Sequence, residues 1–336
     1  MAVATTVVGS YPKPPDEGEP FVLRKTLHAL ERGEATPEDV VAAQDDLVRA
    51  VIAEQEAAGI DIVTDGQARW DDIVTPFARH MAGFEIGGLR RFFDNNVYYR
   101  RPVCTGPVEW RGPSSVEAFR FAAAVAARPV KAVIPGPVTF ALLSVDEYYG
   151  SPERLAAAIA EVLAQEAFEL EAAGCRHLQV DEPALLGAPE LLGAARAGLG
   201  RIASGLQRAE VTLATYFGDA KRLGAELFEL PADFFALDLV SGPANAELID
   251  DLAASGKGLQ AGVVDARNTL LEDPGQLAAQ LEALVAKLGA ERLRLAPSCG
   301  LEFLPREKAR AKLQRLAEVA AALGTKSARA SGGEDQ

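Results

Sequence analysis

A chain of 336 residues, 49% hydrophobic and 24% charged, is long enough for a large α/β domain and has the composition of a globular protein. Its net charge of −14 argues against nucleic acid and anionic membrane surfaces as partners, because both attract positively charged protein surfaces. No apolar run approaches the roughly 20 residues of a membrane span, and the N-terminus lacks the basic and apolar regions of a signal peptide. We therefore expect a cytoplasmic protein.

Short apolar runs alternate along the chain with segments of helical spacing. In chain order the runs cover residues 3–10, 60–66, 130–136, 177–183, 211–217, 234–240, 259–267 and 293–299. Two of the helical segments begin with a cap residue, Thr36 or Ser151, followed by proline and acid, and both end at a glycine. Eight alternations with nearly continuous apolar strands predict an α/β fold, a single (β/α)8 TIM barrel over residues 1–324.

Three segments fall outside this alternation. Residues 11–36, rich in proline and charge, predict a long loop after the first strand. Residues 83–114 predict a two-stranded excursion after the second strand, in which arginines stand beside aromatic residues in "RRFFDNNVYYRRP". These side chains suit either a flat anionic ligand or a hairpin that packs against the barrel or another subunit. Residues 325–336 are polar and predicted to be disordered.

The predicted strands end in polar side chains. In parallel barrels the reacting groups lie at the C-terminal ends of the strands, so these residues predict a functional mouth. They are Ser10, Asp65, Gln67, Asp181, Glu182, Thr215, Tyr216, Asp238, Asp265, Arg267, Ser298 and Cys299. The three cysteines lie far apart without a CxxC pair, which argues against a disulfide framework or a zinc ribbon.

Several motifs carry a family resemblance. "VVGSYPKP", "AAGIDIVTDGQARWDDIV", "IPGPVTF", "LQVDEPALL", "GVVDARNT" and "LAPSCGLEFLP" occur in the order found in cobalamin-independent methionine synthases. The chain resembles the short, single-barrel members of that family. In addition, "LATYFG", "FDNNVYY" and "GVVDARN" resemble the N-terminal, zinc-free barrel of the long members.

The resemblance implies an S-methyltransferase of methionine biosynthesis, which transfers a methyl group to a thiol, most simply that of homocysteine. The methyl donor would be a methylfolate or a methylcorrinoid, and a methyl-donor protein or partner subunit is a further expectation. The alternative is a non-catalytic folate- or substrate-binding barrel that acts with a separate partner protein.

The resemblance also implies roles for the polar strand ends. Asp181 and Glu182 match the acids that meet the amino group of homocysteine, although they could instead only cap the following segment. Gly9 and Ser10 match the stretch that holds the substrate carboxylate, and Gln67 stands where catalytic members have a glutamate. The remaining predicted substrate-binding residues are Asp65, Asp265, Arg267 and Ser298, and Tyr216 and Cys299 join the two acids as predicted catalytic residues.

A zinc site is implied only in part. In the family, zinc binds the substrate thiol and keeps it as the nucleophilic thiolate. Cys299 and Asp238 match two of the ligands, but Leu213 and Thr215 stand where a His-x-Cys motif is expected. Cys299 is therefore open to two interpretations, a metal ligand or thiol contact and a small buried residue.

Overall fold

A computed structural model describes residues 3–331 of the chain, with side chains described through residue 324. Within this range the strands are β1 (Ala4–Thr5), β2 (Met81–Arg91), β3 (Tyr98–Trp110), β4 (Lys131–Pro135), β5 (Val145–Asp146), β6 (His177–Asp181), β7 (Glu210–Ala214), β8 (Phe234–Asp238), β9 (Gly258–Val264) and β10 (Leu293–Pro297). The α-helices are α1 (Val22–Glu31), α2 (Pro37–Ala57), α3 (Thr75–Ala78), α4 (Val116–Val125), α5 (Pro137–Leu143), α6 (Pro152–Ala172), α7 (Leu192–Ala203), α8 (Ile249–Ser255), α9 (Pro274–Leu288) and α10 (Arg306–Ser331).

The chain divides into two compact units. The first contains residues 3–69, 121–130 and 258–331, and the second contains Trp70–Arg120 and Lys131–Lys257. Each unit has parallel strands of its own.

In the first unit, β10 lies between β1 and β9, and all three strands run parallel. Residues 62 and 63 extend this arrangement through isolated parallel bridges, from Thr6 to Ile62 and from Val63 to Val130. The strand predicted over residues 60–66 therefore contributes single bridges and no continuous ladder.

In the second unit, β4, β6, β7 and β8 pair in that order, all parallel. Pro135 lies opposite Asp181, Asp181 opposite Ala214, and Ala214 opposite Ala236, so the carboxyl ends of these strands share one edge. Almost every residue of the four strands is buried, which is why they read as continuous apolar runs.

A separate small sheet occupies most of the predicted excursion. Strands β2 and β3 form an antiparallel hairpin, with Met81 opposite Trp110 and Arg91 opposite Tyr98. The short strand β5 pairs with β3 in parallel, with Val145 opposite Val103.

The predicted helix starts at Thr36 and Ser151 are confirmed. The Thr36 side chain accepts a hydrogen bond from the Asp39 N–H, and the Asp39 carboxylate accepts one from the Thr36 N–H, which together make a capping box. The Ser151 hydroxyl accepts a hydrogen bond from the Arg154 N–H at 3.3 Å. Each cap satisfies a backbone donor that has no partner within the helix.

Helix α1 corrects the prediction of an uninterrupted loop over residues 11–36. Its residue Leu23 is buried against Val40 and Ala43 of α2, and Leu30 packs on the same cluster. The prolines and charges of this segment obscured a helical spacing of leucines, and burial of that apolar face stabilises the helix.

Helix α10 continues to Ser331, and residues 332–336 of the predicted tail lie outside the described residues. The single domain over 1–324 and the disordered tail stay predictions. Among residues 3–331 no helix has both the length and the apolar composition needed to cross a bilayer.

Candidate functional site

Two predicted catalytic residues, Asp181 and Tyr216, meet in the second unit. Asp181 ends β6 and is 2% exposed, and Tyr216 follows β7 by two residues. The Tyr216 hydroxyl donates to Oδ2 of Asp181 at 3.1 Å, and the side-chain amide of Gln179 donates to Oδ1 at 2.7 Å. Both oxygens of Asp181 thus act as hydrogen-bond acceptors.

The backbone next to Tyr216 is in an unusual conformation. Phe217 has φ = 73°, in the left-handed region that bulky residues rarely adopt. Its ring packs 4.7 Å from the Tyr216 ring and 5.7 Å from the ring of Phe93, which also has a positive φ of 48° in the turn of the hairpin. Such conformations persist where packing holds them and occur often at functional sites.

The side chain of Glu182 has different hydrogen-bond partners from the side chain of Asp181. Its carboxylate accepts hydrogen bonds from the N–H groups of Val138 at 2.9 Å and Thr139 at 2.7 Å, in the first turn of α5. Burial raises the pKa of Glu182 to about 7, while these hydrogen bonds and that of the Thr139 hydroxyl act in the opposite direction. Glu182 therefore caps α5, which precedes it in the chain, and not the following segment that the sequence suggested.

Gly136 leaves the space that the Glu182 carboxylate occupies. A Cβ atom at position 136 would lie 2.1 Å from the carboxyl carbon of Glu182. No side chain fits at such a distance, so the "IPGP" motif requires glycine for the close approach.

Asp238, at the end of β8, is buried with one oxygen unsatisfied. Its Oδ1 accepts from the N–H groups of Val240 at 2.9 Å and Ser241 at 2.7 Å, whereas Oδ2 has no hydrogen-bond partner. Burial raises the pKa of Asp238, and the nearby backbone N–H groups lower it. An acid with an open oxygen at a strand end is a candidate ligand contact.

The zinc donors implied by the family resemblance are incomplete in the sequence. Among residues 3–324, no group of three or more His, Cys, Asp and Glu side chains could hold a metal ion. Cys299 is buried in the first unit and its thiol donates to the Gly300 carbonyl at 3.5 Å. Leu213 takes the place of the expected histidine and is buried in β7. The donor set does not fit a zinc ion.

The histidines lie elsewhere. His28 and His80 are exposed, and His177 begins β6, where its Nδ1 is 3.4 Å from a carboxylate oxygen of Glu210. None of the three stands at the carboxyl end of a strand.

In the first unit, Ser10 contacts an acid that the sequence analysis missed. Its hydroxyl donates to the carboxylate of Glu302, and its carbonyl accepts from the Leu301 N–H at 2.9 Å. Burial raises the pKa of Glu302, and the hydrogen bond from Ser10 lowers it. A Cβ on Gly300 would lie 2.0 Å from the Ser10 hydroxyl oxygen, so any other residue here would displace the side chain of Ser10. A substrate carboxylate at Ser10 would meet a second carboxyl group.

Gly9, Asp65 and Gln67 lie in neighbouring turns of the same unit. The Thr64 hydroxyl donates to the Gly9 carbonyl at 2.8 Å, and the Gln67 N–H donates to Oδ1 of Asp65 at 2.9 Å. Gln67 has φ = 52°, and burial raises the pKa of Asp65. The positive φ of Gln67 and the raised pKa of Asp65 mark the turn after residue 64 as a candidate ligand contact.

Asp265, Arg267 and Ser298 are linked through a loop. Asp265 accepts hydrogen bonds from the Arg267 N–H at 2.8 Å and from the Asn268 side chain at 2.7 Å. The Ser298 hydroxyl accepts from the Ala266 N–H at 3.2 Å. Asp265 and Ser298 therefore shape the loop after β9, while the Arg267 side chain is exposed.

The residues that sequence reasoning missed are Gln179, Lys131 and Glu302. Gln179 stands two residues before Asp181 in "LQVDEP", so in a strand both side chains point to the same face. The two-residue period of a strand could therefore have identified Gln179 as a neighbour of Asp181. Glu302 lies inside the quoted motif "LAPSCGLEFLP" and Lys131 inside the apolar run 130–136, but only the fold shows their partners.

The chain matches a protein family and several known sequences over most of its length. Residues 3–322 match the family model described as cobalamin-independent synthase, catalytic domain. A methionine synthase of Sulfurisphaera tokodaii is 34% identical over 310 residues, 92% of this chain and 89% of that protein. The chain belongs to the cobalamin-independent methionine synthase family. A second methionine synthase, from Thermococcus kodakarensis, is 32% identical over 319 residues, 92% of this chain and 90% of that protein. The family resemblance seen in the motifs is confirmed.

Solved structures of this family share the fold. A B12-independent methionine synthase from a Shewanella species, in complex with selenomethionine, matches with a TM-score of 0.85 at 25% identity, over 98% of this chain and 100% of that chain. A putative vitamin-B12 independent methionine synthase from Listeria monocytogenes, at 20% identity and a TM-score of 0.75 over 96% of this chain and 98% of that chain, shows the fold alone. The predicted α/β fold class is confirmed. The non-catalytic alternative finds no support, because the matching model is that of the catalytic domain of these synthases.

Proposed function

We propose that this chain is an S-methyltransferase that transfers a methyl group to the thiol of L-homocysteine and so forms L-methionine. Family membership supports the reaction class. The observation that carries the proposal is the Asp181 carboxylate, buried at the end of β6 and held by hydrogen bonds from Tyr216 and Gln179. A buried carboxylate suits a cationic ligand group, because an ammonium that leaves water needs a charged partner.

The substrate class follows from this carboxylate. Homocysteine and methionine both carry an α-ammonium group, and selenomethionine, present in the Shewanella relative, is methionine with selenium in place of sulfur. We assign the ammonium group to Asp181. Glu182 acts through the backbone of α5 and supports the adjacent strand end.

The chemistry is a displacement at the methyl carbon. A bond forms between the homocysteine sulfur and the methyl carbon, and the bond from that carbon to the donor atom breaks. That donor atom is nitrogen in a methylfolate and cobalt in a methylcorrinoid. The thiol loses its proton, because the thiolate is the nucleophile. With a methylfolate the leaving nitrogen takes up a proton, and with a methylcorrinoid the cobalt keeps the electron pair of the broken bond while the thiol proton goes to solvent. Since the described donors do not fit zinc, no step of this proposal passes through a metal ion held by the protein.

The carboxylate contact of Gly9 and Ser10 stays a prediction of the family resemblance. For Gly9 and Ser10, the neighbouring Glu302 would have to be protonated for a substrate carboxylate to bind, and its raised pKa is in that direction. The roles of Asp65, Gln67, Asp265, Arg267, Ser298 and Cys299, a partner subunit or donor protein, and the cytoplasmic location stay predictions.

The experiment that tests the proposal is methionine formation by the purified protein. L-homocysteine is supplied with 5-methyltetrahydrofolate in one reaction and with methylcobalamin in another, and L-methionine is measured by mass spectrometry. Turnover with either donor supports the proposal and names the donor. Binding of L-methionine without turnover in either reaction would instead favour the binding-only alternative.

A further inference from the structure

A chain of buried hydrogen bonds leads to Asp181 from the start of β4. The Lys131 ammonium donates to Oε1 of Gln179 at 2.6 Å, and Nε2 of Gln179 donates to Oδ1 of Asp181 at 2.7 Å. Lys131 is 3% exposed and Gln179 is 0% exposed. Lys131 and Gln179 were not among the residues expected from the sequence, and the proposed function uses Gln179 only as a donor to Asp181.

The strand register explains how these side chains meet. Lys131 lies opposite His177 and Pro135 opposite Asp181, so β4 and β6 run side by side in parallel. Gln179 and Asp181 are two residues apart on β6, which places both side chains on one face of the sheet. A long lysine side chain from the start of β4 reaches the middle of β6, and the glutamine spans the rest of the distance.

The chemistry of the groups gives the chain one direction. An ammonium can only donate hydrogen bonds, so Gln179 presents its oxygen to Lys131. Its NH₂ group must then face Asp181, which accepts. Reversal of the amide would place NH₂ against the ammonium and oxygen against the carboxylate, so Lys131 fixes the donor that meets Asp181.

Buried polar side chains such as Lys131 and Gln179 are energetically unfavourable in the interior of a strand. Burial of an ammonium or an amide is unfavourable unless each is hydrogen-bonded, and apolar residues at these positions would fill the same space without that cost. On the neighbouring strands Gln179 lies opposite the apolar Val133 of β4 and the polar Thr212 of β7, and both are buried. Packing alone does not explain the buried pair of Lys131 and Gln179. A role in holding Asp181, the acid of the candidate site, explains it better.

We propose that Lys131 and Gln179 are positioning residues, which hold the Asp181 carboxylate in the orientation that meets the ammonium group of the α-amino-acid substrate. This inference rests on the proposed function for the identity of the substrate. Gln179 acts directly on Asp181, and Lys131 acts through Gln179. The inference therefore predicts a defect specific to the amino group of the ligand.

The test compares two ligands that differ in that group. L-methionine and 4-(methylthio)butanoate share the thioether and the carboxylate, and only methionine carries the α-ammonium. Their dissociation constants are measured by isothermal titration calorimetry for wild type, Gln179→Met and Lys131→Met. Because each variant removes a hydrogen bond in a charged chain, we expect methionine affinity to fall about 10-fold or more in Gln179→Met and less in Lys131→Met. Affinity for 4-(methylthio)butanoate should change by less than about 3-fold, since its contacts do not include Asp181.

Ser115→Ala is the matched control. The Ser115 hydroxyl is a buried donor to another carboxylate of the second unit, Glu166, at 2.7 Å. This variant should lower the unfolding temperature and leave both affinities unchanged. If Gln179→Met does not fold, Lys131→Arg and Lys131→Met serve instead, with retention of methionine affinity expected only in the arginine variant.

Three results would overturn the inference. Equal weakening of both ligands in Gln179→Met would show a general structural role. Unchanged methionine affinity in that variant would show that Asp181 binds the ligand equally well without the hydrogen bond from Gln179. Absence of methionine binding by wild type would refute the proposed function as well, and so is distinguishable from failure of the positioning role alone.

Discussion

The close approach of Gly136 to Glu182 makes Gly136→Ala a sensitive perturbation. The added Cβ would lie 2.1 Å from the carboxyl carbon and 2.4 Å from an oxygen of Glu182, so the carboxylate must move away from α5. It then loses hydrogen bonds from the Val138 and Thr139 N–H groups. A hydrogen bond to a charged group contributes about 1.5–3 kcal/mol, and overpacking a buried site costs about 1–3 kcal/mol. Partial relaxation leaves an expected loss of about 3–5 kcal/mol in the free energy of unfolding.

Urea denaturation followed by circular dichroism at pH 8, where Glu182 is mostly ionised, measures this loss. Gly187→Ala is the control, because a Cβ there meets no atom within 4 Å, and it should change stability by less than about 0.5 kcal/mol. In a Glu182→Ala background the Gly136→Ala effect should shrink, since the clashing carboxylate is gone. A Gly136→Ala protein as stable as wild type would refute the reasoning.

Three further predictions follow from the buried acids and the thiol. The pKa of Glu182 is about 7 in the folded chain and about 4.3 in an unfolded chain. The folded state therefore holds the proton more tightly, and ionisation of Glu182 should lower the free energy of unfolding by about 3 kcal/mol as the pH rises from 4 to 8. Denaturation at several pH values gives the free energy of unfolding of wild type and of Glu182→Gln. The difference, wild type minus variant, should fall from pH 4 to pH 8. A difference that does not change with pH contradicts the raised pKa of Glu182. Asp238→Asn keeps an acceptor for the Val240 and Ser241 N–H groups and removes the charge of a buried carboxylate whose Oδ2 has no hydrogen-bond partner. The free energy of unfolding of this variant at pH 8 should therefore be about 1 kcal/mol higher than that of wild type. A clearly lower free energy of unfolding would show that Oδ2 has a partner. Elemental mass spectrometry should find no stoichiometric zinc in wild type or Cys299→Ser, and one zinc per chain that the substitution abolishes would show that the donor set is complete after all.

The strands were the most predictable part of the fold. Seven of the eight apolar runs contain a strand of the described chain, because residues buried on both faces leave a strong apolar pattern. The run at 60–66 forms only bridges at Ile62 and Val63. Next to these bridges the Asp61 carboxylate accepts from the Thr5 N–H at 2.9 Å, so a side chain takes the place of a backbone ladder bond. Helix α1 was missed because prolines and charges surround its apolar face.

The candidate site was predictable only where its groups adjoin strand ends. Asp181 and Tyr216 were found in this way, and the structure brings them into contact. The strand period predicts that Glu182 points away from Asp181, but its partners Val138 and Thr139, 44 and 43 residues earlier, were not predictable. Lys131 lies 48 residues from Gln179, and Ser10 lies 292 residues from Glu302. Partners at such separations are set by the fold and leave no local pattern.

The most direct test of the central claim is the transfer of a labelled methyl group by wild type and Asp181→Asn. Each protein is incubated with L-homocysteine and a donor that carries a deuterated methyl group, as methylfolate or methylcobalamin, and labelled L-methionine is measured by mass spectrometry. Wild type should form labelled methionine. A folded Asp181→Asn should have a kcat/KM for homocysteine reduced about 100-fold or more, because the substrate ammonium loses its charged partner. Labelled methionine formed by the variant at a rate within about 3-fold of wild type would contradict the role assigned to Asp181.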